Sequence, residues 1–285
     1  MINDKFVVTI VAPENYPHFR TFDEISTSLF HALEDLSYDV VKVLNTIASD
    51  RINIILGANL LETKDLSALP SNTIIYNFEQ LSDDNSWMAD VYKVALENFQ
   101  VWDYSIQNIR YLNKLPLKFR PIYVPLGYCK ELERIAISNV QDIDVLFYGS
   151  LNDRRKRLLQ RLVDRNLNVK CLFNVYGDER DHYISRSKLV LNLHYYETQI
   201  FEIARVSYLL NNKVAVVSEF DNGTEIYDYL KKGICLVDFD ELPDACMHLI
   251  SDACARENLR NAGYEAFSQL TQKDVVRAAL SRSKL

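Results

Sequence analysis

The sequence predicts a two-domain α/β protein made of two doubly wound, Rossmann-like sheets facing each other across a cleft. Short apolar runs alternate with stretches of helical spacing along the whole chain, as in parallel sheets joined by crossover helices. The 285 residues suffice for two domains of ordinary size. Between Pro125 and Ile143 the alternation breaks at the run YVPLGY and a polar stretch after it, where proline and glycine end regular structure. The expected domains are therefore residues 1–130 and 140–285.

Strands are expected at 6–11, 40–44, 53–56, 73–77, 101–104 and 122–124, each a short, largely apolar run of the kind a sheet buries. Residues 22–36 and 87–99 carry apolar side chains at helical spacing and are expected to cross between them. In the second half, strands are expected at 145–148, 169–173, 189–193, 214–218 and 234–237. Helices are expected over 153–165, 200–210, 224–231 and much of 242–280.

Composition removes several classes of function. With 32 basic against 39 acidic residues, the formal charge of −7 disfavours nucleic acid as a partner. No apolar run reaches the ~18 residues a membrane span needs, and no basic-then-apolar leader opens the chain. A soluble, cytoplasmic protein is expected. Cys129, Cys171, Cys235, Cys246 and Cys254 form no CxxC pair and sit mostly in apolar runs, as core thiols of a reducing compartment do. None of the five histidines lies at zinc-ligand spacing from them, so no metal is expected there. The seven glycines form neither GxGxxG nor GxxxxGK[ST], which sets aside dinucleotide oxidoreductases and P-loop kinases.

Residues 190–219, VLNLHYYETQIFEIARVSYLLNNKVAVVSE, read as strand, loop, helix and strand. His194 follows the first strand at its C-terminal edge, where open α/β sheets bind ligands, with Tyr195, Tyr196 and Glu197 beside it. Glu202 and Arg205 are three residues apart and share a helix face. A carboxylate at such a crevice can accept hydrogen bonds from vicinal hydroxyls such as those of a ribose. Glu219 ends the second strand near the same edge. Upstream, DVLFYGSLNDRRKRLL leaves a strand through Gly149 and enters a helix that Asn152 or Asp153 can cap. A helix N-terminus favours anions, and Arg154, Arg155 and Lys156 would add charge-assisted bonds to a diphosphate. The same residues also suit a solvated basic helix face or, through 154–165, a peripheral membrane contact. Tyr176, before Gly177, offers an aromatic ring to a nucleotide base, while Arg180 and Asp181 read as an ordinary ion pair.

The segments YGSLNDRR, VLNLHYYE and IFEIARVSYLL resemble the C-terminal domain of sugar-nucleotide glycosyltransferases of the GT-B type, and more closely a bacterial group of them. The resemblance runs from about residue 73 to residue 219. It implies transfer of a sugar from a nucleotide-diphosphate donor to a hydroxyl of a bacterial surface glycan or glycoconjugate. Glu202 would hold the ribose and Arg155 and Lys156 the leaving diphosphate, without a metal or any cofactor beyond the nucleotide sugar. It also implies that the N-terminal domain presents the acceptor and the general base. His18 has the pKa such a base wants, and Asp23 starts the first helix, where the dipole alone also favours it. Glu79, in IIYNFEQL, ends a strand and shares a YN-hydrophobic-EQL pattern with these enzymes, so it competes with His18. Asp103 and Ser105 are acceptor contacts or structural groups. The chain departs from the family in its short length and in lacking a glycine-rich first loop. A non-catalytic nucleotide-sugar- or glycan-binding subunit is the alternative, and a phosphate-ester enzyme or epimerase a third class.

Overall fold

The computed structural model describes residues 4–83, 87–195, 200–221 and 223–284. Its contacts divide the chain into two compact units, Met1–Glu131 with Leu270–Leu285, and Leu132–Gln269. Each holds its own sheet, so the two strand series read from the sequence are separate.

The first unit runs β1 (Lys5–Ile10), α1 (Asp23–Asp35), β2 (Asp39–Leu44), β3 (Ile52–Leu56), α2 (Thr63–Ala68), β4 (Ile74–Asn77), α3 (Asp90–Asn98), β5 (Gln100–Asp103), α4 (Ile106–Leu112) and β6 (Ile122–Tyr123). A 3₁₀ turn, Pro17–Phe22, precedes α1. All strand pairs are parallel, in the order β2-β1-β3-β4-β5-β6. β3, β4 and β5 are buried at every residue, which is why they read as unbroken runs rather than alternating ones. β2 is an edge strand with much of its length exposed.

The second unit runs β7 (Ile143–Tyr148), α5 (Asp153–Val163), β8 (Val169–Leu172), α6 (Gly177–Ser185), β9 (Ser187–Asn192), α7 (Ile203–Asn211), β10 (Val216–Glu219), β11 (Cys235–Val237), α8 (Leu242–Ser251) and α9 (Ala253–Ser268). Its strands are parallel in the order β11-β10-β9-β7-β8. The core gathers Val145 and Phe147 of β7, Leu158 and Leu162 of α5, Leu189 and Leu191 of β9, and Leu242 and Cys246 of α8.

The structure departs from the sequence reading in three places. α2, α4 and α6 were not foreseen, because each is short or, as in GDERDHYIS, mostly polar. The expected helix at 224–231 is a 3₁₀ turn, Asp228–Gly233. The stretch 242–280 is three helices, the last being α10 (Gln272–Leu280), and it does not stay with the second unit. Leu270–Leu285 returns to the first, so the expected span 140–285 is corrected at its C-terminal end. Tyr128 donates to the Leu270 carbonyl and accepts from Gln272 N, both at 2.8 Å, while Trp102 Nε1 donates to Ser283 Oγ at 2.9 Å.

Candidate functional site

In the second sheet β7 and β9 are neighbours, yet the chain leaves β7 toward β8 on one side and later enters β9 on the other. Connections that depart in opposite directions open a crevice at the C-terminal ends of the two strands, where ligands of such sheets bind. Gly149 follows β7 there, His194 follows β9, and Glu202 is the N-cap residue of α7. Gly149 has φ of +134°, and a Cβ on it would meet Arg205 Nη2 at 2.9 Å, so the site needs glycine. Asn152 caps α5 by accepting from Arg155 N at 2.9 Å and donates its amide to the Tyr195 carbonyl at 2.5 Å, fastening the helix start to the end of β9.

The charged residues divide sharply. Arg155 is buried: its Nε donates to the His194 carbonyl at 3.1 Å, Nη1 to the Ser150 carbonyl at 2.7 Å, and Nη2 to the Leu193 carbonyl and to Glu202 Oε1, the latter at 3.3 Å. Burial brings its pKa down to about 10 against the pull of Glu202, which leaves it charged at neutral pH. Arg154 forms a two-pronged pair with the buried Glu219, which also accepts from His194 N at 3.1 Å, and it lies 3.8 Å from the centroid of Phe239. Arg205 donates to Asn192 Oδ1 at 2.8 Å and stands 3.5 Å from Glu202 Oε2. Lys156 is exposed beside Asp153, 3.6 Å away. Glu202 is thus gripped from two sides while its side chain stays 24% exposed.

His194 is buried, with Nε2 3.4 Å from Thr224 Oγ1 and Nδ1 without a hydrogen-bond partner among the described residues. Burial lowers its pKa, opposed by Glu219, Glu202 and Asp221. Tyr176 is half-buried immediately before α6, and Glu197 lies outside the described residues. Arg180 and Asp181 do form the ion pair expected of them, at 2.8 Å. The sequence reading gave Asn152 as a helix cap, which it is, and passed over Asn192, Asp221 and Thr224. Asn192 left a visible signal, a buried amide at the end of an otherwise apolar strand, while the others sit in loops without periodicity.

In the first unit the structure brings His18 and Glu79 about one residue. The His18 ring lies 5.3 Å from that of Tyr16, and burial together with the Glu79 carboxylate raises the Tyr16 pKa. Glu79 is itself raised by burial. Asp23, raised first by burial and then by Glu24, is 3.4 Å from Arg20 at the start of α1. Asp103 is fully buried, accepting from Ser105 N at 2.7 Å, Asn77 at 2.6 Å and Asn108 at 3.1 Å. Asn77 and Asn108 also donate to the Glu79 carbonyl, so this network sets the loop that carries Glu79. Ser105 caps α4. Among the described residues no group of three or more His, Cys, Asp or Glu is placed to hold a metal ion, and no helix is long and apolar enough to cross a membrane.

No family model matches the chain. Among solved structures, AviGT4, a glycosyltransferase involved in avilamycin A biosynthesis, aligns with TM-score 0.64 at 11% identity, covering 98% of this chain and 96% of that one. HepE of Anabaena, crystallised with UDP and glucose, gives 0.65 at 11% identity over 96% and 99% of the two chains. The T4 phage protein BGT, in complex with UDP-glucose, gives 0.64 at 11% identity over 99% and 100%. These likenesses show the fold class, two Rossmann-like parallel-sheet units of the kind found in GT-B glycosyltransferases. Curated relatives come from Acanthamoeba polyphaga mimivirus. "Uncharacterized protein L140" is 28% identical over 200 residues, 67% of this chain and 63% of that protein. "Uncharacterized protein L137" is 26% identical over 185 residues, 64% of this chain and 25% of that protein. The chain therefore spans less than two thirds of either.

Proposed function

We propose that the chain is a glycosyltransferase that moves a sugar from a nucleotide-diphosphate donor to a hydroxyl acceptor, with the donor held at the β7–β9 crevice. The observation that carries this reading is the carboxylate of Glu202. Arg155 occupies Oε1 and Arg205 faces Oε2, so each oxygen keeps a lone pair while the side chain remains partly exposed. Two fixed acceptors side by side suit the vicinal hydroxyls of a ribose. The diphosphate would lie over Gly149 and the start of α5, where backbone N–H groups and the helix dipole favour an anion and Arg205 is already against the glycine. Arg155 acts here as the support that holds Glu202 and the β9 loop. Arg154 serves Glu219, and Lys156 contributes at most long-range charge from its exposed position. Tyr176 and Glu197 complete the expected donor set. On the acceptor side Glu79 and His18 compete as general base, with Asp23 third because Arg20 engages it.

The acceptor class carried over from the resemblance is a bacterial surface glycan or glycoconjugate in a cytoplasmic setting, and no metal or cofactor enters the reading. UDP-glucose, the ligand of BGT, is the first donor to try. Calorimetry should show it binding the intact protein, and donor hydrolysis or transfer should follow with a suitable acceptor. Glu202→Ala should weaken binding by about 2–4 kcal/mol in a folded protein, since each charged hydrogen bond is worth ~1.5–3 kcal/mol. Unchanged affinity in that variant would remove Glu202 from the site. Binding without turnover on any donor would leave the non-catalytic subunit as the reading.

A further inference from the structure

The first sheet has a crevice of its own. The chain leaves β1 toward β2 on one side and crosses back to enter β3 on the other, so the C-terminal ends of β1 and β3 flank a reversal like that of β7 and β9. A cavity of about 280 Å³ opens there, close to the ~300 Å³ at which small-ligand pockets begin. Its deeper lining is apolar, with Val11 and Ile55 buried and Leu60 and Leu61 half-buried. One wall is fixed in advance. Asn45, held at φ of +50°, accepts from Ala12 N and donates to the Ala12 carbonyl, both at 2.7 Å, which pins the turn after β1. The charged lining is mostly acidic, exposed Glu14 and Glu62 and half-buried Asp65 standing against exposed Lys64. Glu62 engages Lys64 at 2.8 Å, and Glu14 makes no ion pair among the described residues. The first amides of α2 offer nothing to an anion either, because Glu62 and Asp65 close them in a capping box, with Asp65 Oδ2 accepting from Glu62 N at 2.9 Å.

We propose that this cavity is a second small-molecule site, which takes an apolar body carrying an amino group and refuses anionic ligands. The body covers Ile55 and Leu60, and the ammonium meets the carboxylates at the mouth, Glu14 foremost because no cation of the described chain neutralises it. Carboxylates around an apolar pocket attract a cation and repel a phosphate or carboxylate. At the matching place the second sheet presents a glycine and a helix start, which suit a diphosphate, so the two crevices select opposite charges. All lining residues lie between Thr9 and Asp65, and the inference is independent of the donor site.

Three probes of nearly equal shape separate body from charge: cyclohexylmethylamine, cyclohexylmethanol and cyclohexanecarboxylate. They are titrated into the full chain carrying ¹³C-labelled isoleucine, leucine and valine methyls. The amine should shift the signals of Val11, Ile55, Leu60 and Leu61 and bind about threefold tighter than the alcohol, as a partly screened ion pair does. The carboxylate should bind weakest. Raising salt from about 0.05 M to about 0.5 M should narrow the amine's lead as the Debye length shrinks. Glu14→Gln combined with Asp65→Asn removes two charges, and the amide at 65 keeps an oxygen for Glu62 N. In that double variant amine and alcohol should bind within about twofold of each other, with the alcohol's own affinity unchanged. The wild-type ranking is read without any variant. If none of the probes moves these methyls, the cavity is not a binding site. If the carboxylate binds as tightly as the amine, or the amine keeps its lead in the double variant, the carboxylates do not select charge. Either result overturns the inference and leaves the donor site untouched.

Discussion

One buried guanidinium holds the end of β9 in place. Arg155 satisfies the carbonyls of Ser150, Leu193 and His194 with a planar fork that a lysine cannot reproduce. Arg155→Met should destabilise the second unit by about 3–5 kcal/mol in urea denaturation, the cost of stranding buried polar partners. Lys156→Ala should change it by no more than about ±0.5 kcal/mol, as exposed substitutions do. The sequence presented the two as equal members of a basic run, because helical periodicity says that neighbours face different ways and not which one faces inward. His194 adds a pH dependence whose sign is fixed by burial. Its native pKa lies below the ordinary 6.5, so on acidification the unfolded chain takes up a proton that the native ring refuses. The stability that the neutral ring contributes is present above pH 6.5 and is lost as pH falls below it. Denaturation midpoints at pH 7 and pH 5.5 should differ less in His194→Gln than in wild type; an unchanged difference would mean the native ring takes up its proton as the unfolded one does.

At the scale of elements, the strands were legible and several helices were not. Each expected strand formed within a few residues of its place; the central ones, buried on both faces, need only apolar, often β-branched side chains, and the half-exposed edges β2, β8 and β11 keep enough of them to be read. α6 escaped because Arg180 and Asp181 are buried in it as an ion pair, with Asp181 also accepting from Tyr208 and Arg134, so its inner face looks polar. The run 242–280 hid two breaks that caps define, Asp252 accepting from Ala255 N at 2.8 Å and Thr271 from Asp274 N at 3.1 Å. A glycine pair was equally silent. Gly233 ends the 3₁₀ turn where α9 crosses, and a Cβ there would come within 2.2 Å of Gly263 Cα. Gly233→Ala should therefore cost at least the ~1–3 kcal/mol typical of overpacking, read as a lowered melting temperature of the second unit. Thr271→Ala, which removes only a cap, should cost ~1 kcal/mol.

For the molecule as a whole, the two units differ in how the chain builds them. The second is one continuous stretch, Leu132–Gln269, whereas the first is closed only when Leu270–Leu285 returns to it. The boundary near residue 131 was legible as the break in alternation around Pro125. The return was not, since the apolar face of α10, Val275, Val276 and Ala279, announces a helix that packs without saying on which sheet. Every described residue of the proposed donor site lies within 132–269. A fragment of those residues should fold cooperatively and bind UDP-glucose, with Glu202→Ala weakening binding by the same factor expected in the full chain. The complementary piece ending at residue 131 should be the unstable one, having lost the strand-like bridge to Tyr128 and the Ser283 partner of Trp102. Its tryptophan emission should lie to the red of the full chain's and return when a peptide of residues 270–285 is added. A well-folded 1–131 piece would mean the C-terminal segment is an accessory. A folded 132–269 fragment that binds no donor would move part of the nucleotide-sugar site onto groups of the first unit.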